Sequence, residues 1–454
     1  MTLAQELAGK VVATRYEDLT PRALKYAKIG LLDTIAVGIA GADDEAARIA
    51  RKVSGGVPGE ALVWGTATRT RALDAAFANG IAANVLDYDD CTDNLGGHPS
   101  APILPALIAL AEERSASGRD VLTAYVTGFE LETALGRCVN FHHYEKGWHP
   151  TATLGVFGAA AACSRLLGLD AEQTTRALAL CASLAAGVKS NLGSMGKPMH
   201  VGNCSRNGLF AAQLAAEGFT GNPDAFEHPQ GFLEVFNGRG NYSVERLFEK
   251  WGEPWEIEMP GIAVKQYPCC LSTQAAVDVM LELVTTHDLH ADQVEAVEAR
   301  VPALRLKHTN RPAPRSALDA KLSVHYVLAR ALTDRAVTLT HFEGDAYRDS
   351  GVQRAMKLVR PEAFDEGTLK TLGDAGAAVR VTLTDGRRLE GTARRAVGHE
   401  PGVPLAPERH KAKFEACVAR RLTPRQMNDL YASVQVFERV SDVRAFTAAF
   451  GVQE

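Results

Sequence analysis

The hydrophobic pattern of the chain changes at about residue 265, and this change constrains the fold more than any other feature of the sequence. Up to about residue 260, apolar residues recur at helical spacing, and Ala, Leu and Gly dominate. Residues 293–301 then alternate apolar and polar side chains, as a half-buried strand does. Residues 378–383 and 388–392 flank an Asp-Gly pair, which is a strong hairpin signal. From Pro404 the helical spacing returns.

The three parts predict a mainly α protein with a small α+β domain between two helical stretches. A chain of 454 residues exceeds what one hydrophobic core usually organises, so we expect two domains. Near the start, Thr20 and Pro21 predict the cap and first turn of a central helix, since the apolar run that follows is too wide for an exposed one. The residues after Pro404 are expected to pack back onto the first domain.

Composition narrows the class of protein. The net charge of -5 and the pI near 6.3 lack the broad positive field that nucleic-acid binding needs, so no nucleic-acid partner is expected. The first residues do not follow the pattern of a secretory signal, and the most apolar stretch, residues 154–163, is shorter than the ~20 residues of a membrane span. We therefore expect a cytoplasmic protein without membrane association.

The eight cysteines include no Cys-x-x-Cys pair, so neither a disulfide framework nor a zinc ribbon is indicated. His142, His143, Glu145 and His149 match no helical metal motif, and no metal is predicted there.

Two loops share the sequence His-Pro-(Ser/Thr)-Ala, at His98 and at His149. In each, the proline suits the first helical turn, and the histidine stands extended just outside it. Such helix ends bind carboxylates through free backbone N–H groups, and an imidazole transfers protons near neutral pH. Taken singly, a His-Pro loop is more often a device for entering a helix than a catalytic site. The aspartates from Asp87 to Asp90 stand in a loop shortly before the first of them and serve either as caps or as site residues.

Two lysine loops complete the pattern. Lys197 lies in residues 193–203, ahead of a helix predicted to begin at Cys204 and to carry Arg206. Lys265 precedes a helical run at the proposed domain junction, and domain junctions are favoured places for substrate clefts. Two lysines, Arg206 and two histidines around one cleft would suit a small di- or tricarboxylate, because desolvated carboxylates need cationic or N–H partners.

The ordered series of motifs resembles the MmgE/PrpD family over nearly the whole chain. The motifs are Leu86-Asp-Tyr-Asp-Asp, Gly97-His-Pro-Ser, Gly147-Trp-His-Pro-Thr, Gly196-Lys-Pro-Met-His and Lys265-Gln-Tyr-Pro-Cys-Cys. The family includes 2-methylcitrate dehydratase, cis-aconitate decarboxylase and iminodisuccinate epimerase. The resemblance implies an all-helical large domain from residues 1–265 and 397–454, an inserted α+β lid domain from residues 266–396, a homodimer, and no metal or organic cofactor.

The resemblance also assigns residues. Positions matching active-site residues of the family are Asp87, His98, His149, Lys197 and Lys265, with Tyr326 matching a tyrosine near the same cleft. Cys91, Arg206, Cys270 and Tyr326 are expected to bind substrate. Cys91 and Cys270 differ from the threonine and histidine of the decarboxylase branch, and Gln274 replaces a frequent histidine, which disfavours a decarboxylase.

The expected activity is proton abstraction next to a carboxylate, with His98 and His149 as acid and base in either order. A 2-methylcitrate dehydratase-like lyase is the first prediction, and an epimerase of an iminodisuccinate-like substrate is the second. A carboxylate-binding homologue without catalysis, and a hydrolase using Cys269 or Cys270 as nucleophile, are the remaining alternatives.

Overall fold

Helices hold 59% of the chain and strands 8% in the computed structural model, which describes residues 1–399 and 401–451. The predicted mainly α fold is confirmed. The first part contains a two-stranded sheet, β1 (Ala61–Leu62) and β2 (Arg69–Thr70), and the helices α1 (Leu3–Ala13), α2 (Pro21–Gly41), α3 (Glu45–Ser54), α4 (Ala72–Val85), α5 (Ser100–Arg114), α6 (Gly118–Val139), α7 (His142–Lys146), α8 (Pro150–Thr153), α9 (Gly155–Leu167), α10 (Ala171–Leu184), α11 (Gly196–Ala216) and α12 (Phe232–Asn237).

Helix α2 begins where the sequence predicts it. The Thr20 side chain accepts a hydrogen bond from the backbone N–H of Ala23, and Pro21 occupies the first turn, where a missing N–H leaves no bond unmade. From Leu31 to Ile39 every residue of α2 is buried, so the helix runs through the core rather than along the surface. Its wide apolar run is thereby explained.

Helices α6 and α9 pack with their backbones close together. A Cβ placed on Gly128 of α6 would lie 2.5 Å from the carbonyl oxygen of Gly158 in α9. The small side chains in segment 155–161 therefore allow the helices to pack closely, as the sequence indicated.

The later part of the chain combines helices with a four-stranded sheet. Its elements are α13 (Leu271–Thr286), β3 (Val294–Val301), α14 (Ala303–Thr309), α15 (Ala317–Ala320), α16 (Val324–Asp334), α17 (Ser350–Met356), β4 (Val359–Ala363), α18 (Glu366–Leu372), β5 (Ala377–Leu383) and β6 (Arg388–Ala393). The strand order is β4-β3-β5-β6, with β3 and β4 parallel and the other pairs antiparallel. The predicted strand and hairpin are present, and β4 was not predicted.

Three helices end the described chain: α19 (Pro407–Val418), α20 (Pro424–Gln435) and α21 (Val443–Ala448). They pack against the first part, where Phe414 of α19 and Leu430 of α20 share a hydrophobic cluster with Leu31 and Ile35. A second cluster lies entirely between Tyr267 and Ala396. The described part of the chain end thus packs against the helical start. Residues 400 and 452–454 of the predicted second helical part lie outside the described residues.

One predicted helix start was wrong. Helix α11 begins at Gly196 rather than Cys204, so Lys197 lies in its first turn and not in a loop. The eight cysteines, all within the described residues, are free. Of the helices that the structure describes, none has both the length and the apolar character of a membrane span.

Candidate active site

A cavity of ≈ 210 Å³ gathers most of the predicted site residues, and its size suits a ligand smaller than a typical drug molecule. The lining comes from the turn and loop after α4, from α7, α8 and the start of α11, and from α13 and α14. Predicted residues in the lining are Asp87, Cys91, His98, His149, Lys197 and Cys270. Unpredicted residues in the lining include Tyr144, Arg305 and His308.

Asp87 stands at the centre of a cation cluster. Its Oδ1 lies 2.5 Å from Lys265 Nζ, 3.0 Å from Lys197 Nζ and 3.4 Å from His98 Nε2. Burial alone would raise the pKa of the Asp87 carboxyl, but the charges of Lys197 and Lys265 hold it well below its usual range. Asp87 has a φ of 52°, in the left-handed region that Asp tolerates better than most residues. The turn after α4 thus presents an ionised carboxylate to both lysines.

The two lysines differ in their position. Lys265 is fully buried behind Asp87 and outside the cavity lining, and its Nζ donates to both the side chain and the backbone carbonyl of Asp87. Its neighbour Asp87 holds the pKa of the ammonium above its usual value although burial acts against this. Lys197 lines the cavity, and its Nζ contacts Asp87 without forming a hydrogen bond. Lys197 therefore has N–H groups to offer a ligand, whereas Lys265 fixes Asp87.

The loop that carries Lys265 is held by Gln274. The Gln274 side-chain oxygen accepts from the backbone N–H groups of Gln266 and Tyr267, at 3.1 and 3.2 Å. Its amide nitrogen donates to the carbonyls of Tyr267 and Cys269, at 2.8 and 3.0 Å. Gln274 thus shapes the backbone next to the site and does not line the cavity.

His98 is clamped between two carboxylates. Its Nδ1 lies 3.0 Å from Asp89 Oδ2, which is closer than the 3.4 Å between Nε2 and Asp87. Burial lowers the pKa of His98, and Asp89 acts in the opposite direction. Asp89 also accepts from Asn84 Nδ2 at 2.9 Å, so the carboxylate that orients this imidazole is fixed in turn. Asp89 was not among the predicted site residues, although its place two positions after Asp87 is a sequence signal.

His149 is the residue that caps α8, directly before Pro150, as the His-Pro motif predicted. Its Nδ1 lies 3.4 Å from Nδ1 of His200. Burial, together with the positive charge of Lys197, holds the pKa of His149 well below its usual value. His149 is therefore a neutral imidazole at physiological pH and can accept a proton.

Helix α14 brings further cationic and titratable groups to the cavity. Arg305 and His308 stand three residues apart, which places them on the same face of a helix. Arg305 Nε donates to the carbonyl of Asp374 at 2.6 Å. No motif in the sequence marks these two residues.

Two predicted substrate-binding residues lie outside the cavity lining. Arg206 follows Lys197 by nine residues on α11, and at about 100° per residue this places it on the opposite face, where it is exposed above the Phe77 ring. Tyr326 is fully buried in α16, where its hydroxyl donates to the His341 carbonyl and accepts from Arg330 Nε. Its hydroxyl is thereby committed within the core.

One group in the described chain has metal-type ligand atoms within 4.8 Å of one another: Asp87, Asp89 and His98. A cation there would compete with the two ammonium groups that already contact Asp87. His143, which the sequence analysis examined as a possible metal ligand, contacts Asn237 Oδ1 and Thr153 Oγ1 through its two ring nitrogens.

Known proteins resemble the chain over nearly its whole length. The family model of the MmgE/PrpD N-terminal domain matches residues 5–245, and that of the MmgE/PrpD C-terminal domain matches residues 267–438. The cis-aconitate decarboxylase of Homo sapiens is 30% identical to this chain, covering 98% of the chain and 94% of that protein. The enzyme of the same name from Mus musculus is 29% identical, covering 98% and 93%, and that from Aspergillus terreus is 26% identical, covering 94% and 91%. The chain belongs to the MmgE/PrpD family.

Proposed function

We propose that this chain is a lyase that develops negative charge on a carbon next to a carboxylate, and that its substrate is a small di- or tricarboxylate. The observation that carries the proposal is the pairing, in one cavity, of the neutral imidazole of His149 with the Lys197 ammonium. This ammonium contacts Asp87 but makes no hydrogen bond to any of the described residues. A base beside a preorganised cation is what a carbon acid needs, because the cation stabilises the charge that develops.

The proposed reaction is dehydration of a 2-methylcitrate-like hydroxy acid. His149 removes the proton from the carbon next to a carboxylate, and Lys197 stabilises the resulting enediolate-like charge. The electron pair then forms a carbon–carbon double bond as the C–O bond breaks. His98 and Lys265 hold Asp87 and Asp89 in place, so that the cavity keeps a fixed arrangement of charge.

Decarboxylation of a cis-aconitate-like tricarboxylate is the second candidate, and the names of the curated relatives favour it. Here a C–C bond breaks, CO₂ leaves, and the electron pair on the remaining carbon takes up a proton. Lys197 would stabilise the same kind of charge in this reaction, so the two candidates share the cavity and differ in the group that leaves.

We also propose that residues 266–396 form a lid domain over a helical body from residues 1–265 and 397 onward. The separate hydrophobic cluster between Tyr267 and Ala396 supports this division. Arg305 and His308 would then reach the substrate from the lid, and Lys197 and His149 from the body.

The test is incubation of the purified chain in deuterium oxide with malate-, citrate-, aconitate- and aminosuccinate-like acids, followed by NMR. An alkene formed with loss of water identifies a dehydratase, and release of CO₂ identifies a decarboxylase. Deuterium exchange without net product identifies an epimerase, and ligand-induced thermal stabilisation without any reaction identifies a binding protein. No change in any of the acids would contradict the proposed lyase.

His149→Ala should abolish the reaction in the same assay, because the base is removed. His287→Gln is the matched control, since His287 is exposed at the end of α13, and it should leave turnover unchanged. Full turnover in His149→Ala would contradict the assignment of the base.

A further inference from the structure

A second cluster of titratable groups lines the cavity, and the lyase step described above does not use it. Cys270 caps the N-terminus of α13, and its Sγ lies 3.8 Å from His308 Nε2 of α14. Ser272 Oγ lies 3.0 Å from the same nitrogen, and the hydroxyl of Tyr144 lies 3.5 Å from His308 Nδ1. Cys270, Ser272, Tyr144 and His308 all belong to the cavity lining.

Tyr144 helps to fix the orientation of the His308 ring. Its hydroxyl lies on the Nδ1 side of the ring, at 3.5 Å. The other ring nitrogen, Nε2, therefore faces Cys270 and Ser272. His308 is therefore arranged to stabilise a thiolate at Cys270.

Cys270 differs in this respect from the neighbouring cysteines. Burial alone would raise the pKa of Cys270, but the hydrogen bond and charge of His308 lower it to about 7. Burial raises the pKa of Cys269 to about 12, and it raises the pKa of Cys91 as well. Of these three thiols, Cys270 is the one that gains and loses a proton near neutral pH.

Both candidate reactions need a group that delivers a proton. A dehydration needs an acid for the departing hydroxide, and a decarboxylation needs one for the carbon that loses CO₂. Burial lowers the pKa of both His98 and His149, which favours their neutral forms and leaves the role of acid unfilled. A general acid works best when its pKa lies near the operating pH.

We propose that Cys270 is the proton donor of this cavity and that His308 is the residue that positions its thiol. The inference rests on the proposed lyase function. In a dehydration the S–H bond of Cys270 breaks, the proton goes to the departing oxygen, the C–O bond breaks, and water leaves. In a decarboxylation the same proton goes to the carbon. The thiolate, stabilised by the Nε2–H of His308, then regains a proton from solvent, and in the dehydration His149 returns its proton to solvent.

The pH dependence of this step is set by the groups that face the thiol from the surrounding elements. They are His308 from α14, Tyr144 from α7, Asp87 from the turn after α4 and Lys265 from the loop before α13. Lys265 and His308 favour the thiolate, and Asp87 opposes it.

The first experiment measures the thiol directly in the full chain. The rate of iodoacetamide labelling of Cys270, followed by peptide mass spectrometry, should rise with a midpoint near pH 7. In His308→Gln the midpoint should move up toward that of a free cysteine, about 8.5. Cys91 is an internal control because it lines the same cavity and should stay unlabelled at neutral pH. A midpoint that does not move in His308→Gln would overturn the pairing.

The second experiment measures turnover on the acid identified by the substrate panel. Cys270→Ala should lower kcat about 100-fold or more with little change in KM, because a proton donor acts in the transition state. In the unmodified chain kcat should fall as pH rises through about 7, since the protonated thiol is then lost, and in His308→Gln this fall should move to higher pH. Cys269→Ser is the control, because Cys269 is fully buried beside the cavity and should keep both turnover and pH profile.

The outcomes separate the two proposals. An unmodified chain that converts none of the acids contradicts the lyase function and with it the donor role. An active chain whose Cys270→Ala variant keeps full kcat contradicts the donor role alone. An active chain whose pH profile is unaffected by His308→Gln contradicts the positioning role of His308.

Discussion

At the scale of single residues, Asp87 carries the arrangement of charge in the cavity. Its carboxylate contacts Lys197, Lys265 and His98, and its backbone carbonyl accepts a further hydrogen bond from Lys265. The pairing keeps two buried ammonium groups compensated. Removing the carboxylate charge would therefore leave both lysines without a counter-ion at this position.

Asp87→Asn is expected to lower the free energy of unfolding by about 3–5 kcal/mol at pH 7, the usual penalty for breaking a buried ion pair. Asn tolerates the left-handed backbone of Asp87, so the loss reports charge rather than strain. Urea unfolding followed by circular dichroism measures it. Asp429→Asn, at an exposed pair with Arg425, should change nothing measurable.

The pH dependence of this effect has a defined sign. The folded-state pKa of Asp87 is depressed, so its contribution to stability is fully present above the unfolded value of about 3.9 and is lost as pH falls through the folded value. The stability difference between the unmodified chain and Asp87→Asn should therefore persist at pH 5 and shrink in stronger acid. A difference that stayed constant down to the acid-unfolding range would contradict the ionised carboxylate.

The sequence was most informative about residues in motifs. It was least informative about which side chains line the cavity and which lie behind its wall. In the structure Asp87 contacts His98, Lys197 and Lys265, and His149 lines the same cavity as Lys197. The catalytic roles of these residues stay predictions. Periodicity does not show that Lys265 lies behind Asp87, because that depends on how a loop folds over a turn 178 residues away. Arg305 and His308 belong to no motif, and only the packing of α14 brings them to the cavity.

At the scale of elements, helix α11 shows how one misplaced start changes a functional assignment. With a start at Gly196 the helical phase is continuous from Lys197 to Arg206, and the two side chains point in opposite directions. The glycine and proline in this stretch favoured a loop, but Pro198 lies in the first helical turn, where no hydrogen bond is lost.

Gly128→Ala is expected to destabilise the chain by about 1–3 kcal/mol, because its Cβ would lie 2.5 Å from the carbonyl of Gly158 and force α6 and α9 apart. Gly9 in the exposed face of α1 is the matched control, since nothing lies within 4 Å of its Cβ position. Gly9→Ala should instead stabilise by about 0.5–1 kcal/mol through helix propensity. Thermal and urea unfolding of the two variants should thus give opposite signs.

Glu130 in α6 makes stability depend on pH in the opposite direction from Asp87. It accepts hydrogen bonds from the backbone of Gly252 and Glu256, yet burial raises its pKa to about 8. Its carboxyl is neutral in the folded chain at pH values where the unfolded chain has already lost the proton. The corresponding stability is present below the unfolded pKa, near 4.3, and is lost as pH rises to about 8.

Glu130→Gln should therefore gain stability relative to the unmodified chain between about pH 5 and 8, by up to roughly 1.4 kcal/mol per pH unit. Urea unfolding at a series of pH values measures the difference. Glu6→Gln on the exposed face of α1 serves as control and should run parallel to the unmodified chain. Parallel curves for Glu130→Gln as well would mean that this carboxyl is ionised in the folded protein.

At the scale of the whole molecule, the last helices secure the loop that presents Asp87. Lys413 of α19 pairs with Asp33 of α2 at 2.6 Å and donates to the carbonyl of Tyr88 at 2.8 Å. The backbone of Ala263 pairs with Cys91 on one side and with His399 on the other. Residues from the beginning, middle and end of the chain therefore fix one cavity wall.

Lys413→Met is expected to lower the free energy of unfolding by about 3–5 kcal/mol and to reduce turnover, because Asp33 loses its buried partner and the loop before Cys91 loses a donor. Lys411→Met is the matched control on the same helix, where Lys411 and Glu415 form an exposed pair at 3.6 Å. Urea unfolding and the substrate assay should separate the two variants. Equal behaviour would show that α19 does not stabilise the site.

Sequence patterns could predict the order of the helices and strands along the chain. They could not predict the contacts between segments that are far apart in the sequence. The strand in residues 294–301, the hairpin and the returning helices follow from periodicity and turn residues. Strand β4 was missed because Val359–Ala363 contains a proline and lacks clean alternation, and its pairing depends on β3. The contacts of Ala263 with two distant loops leave no periodic signal.

The hydrogen bond between Lys413 and Tyr88 can form only late in the synthesis of the chain on the ribosome. The two residues are 325 positions apart, and a ribosome adding about 5–20 residues per second needs roughly 15–65 s to produce the second after the first. Throughout this interval the loop that carries Asp87 lacks the hydrogen bond from Lys413 to the Tyr88 carbonyl. A message broken before the codon for Lys413 would therefore yield a polypeptide that carries the five predicted catalytic residues but lacks the contact that completes this cavity wall.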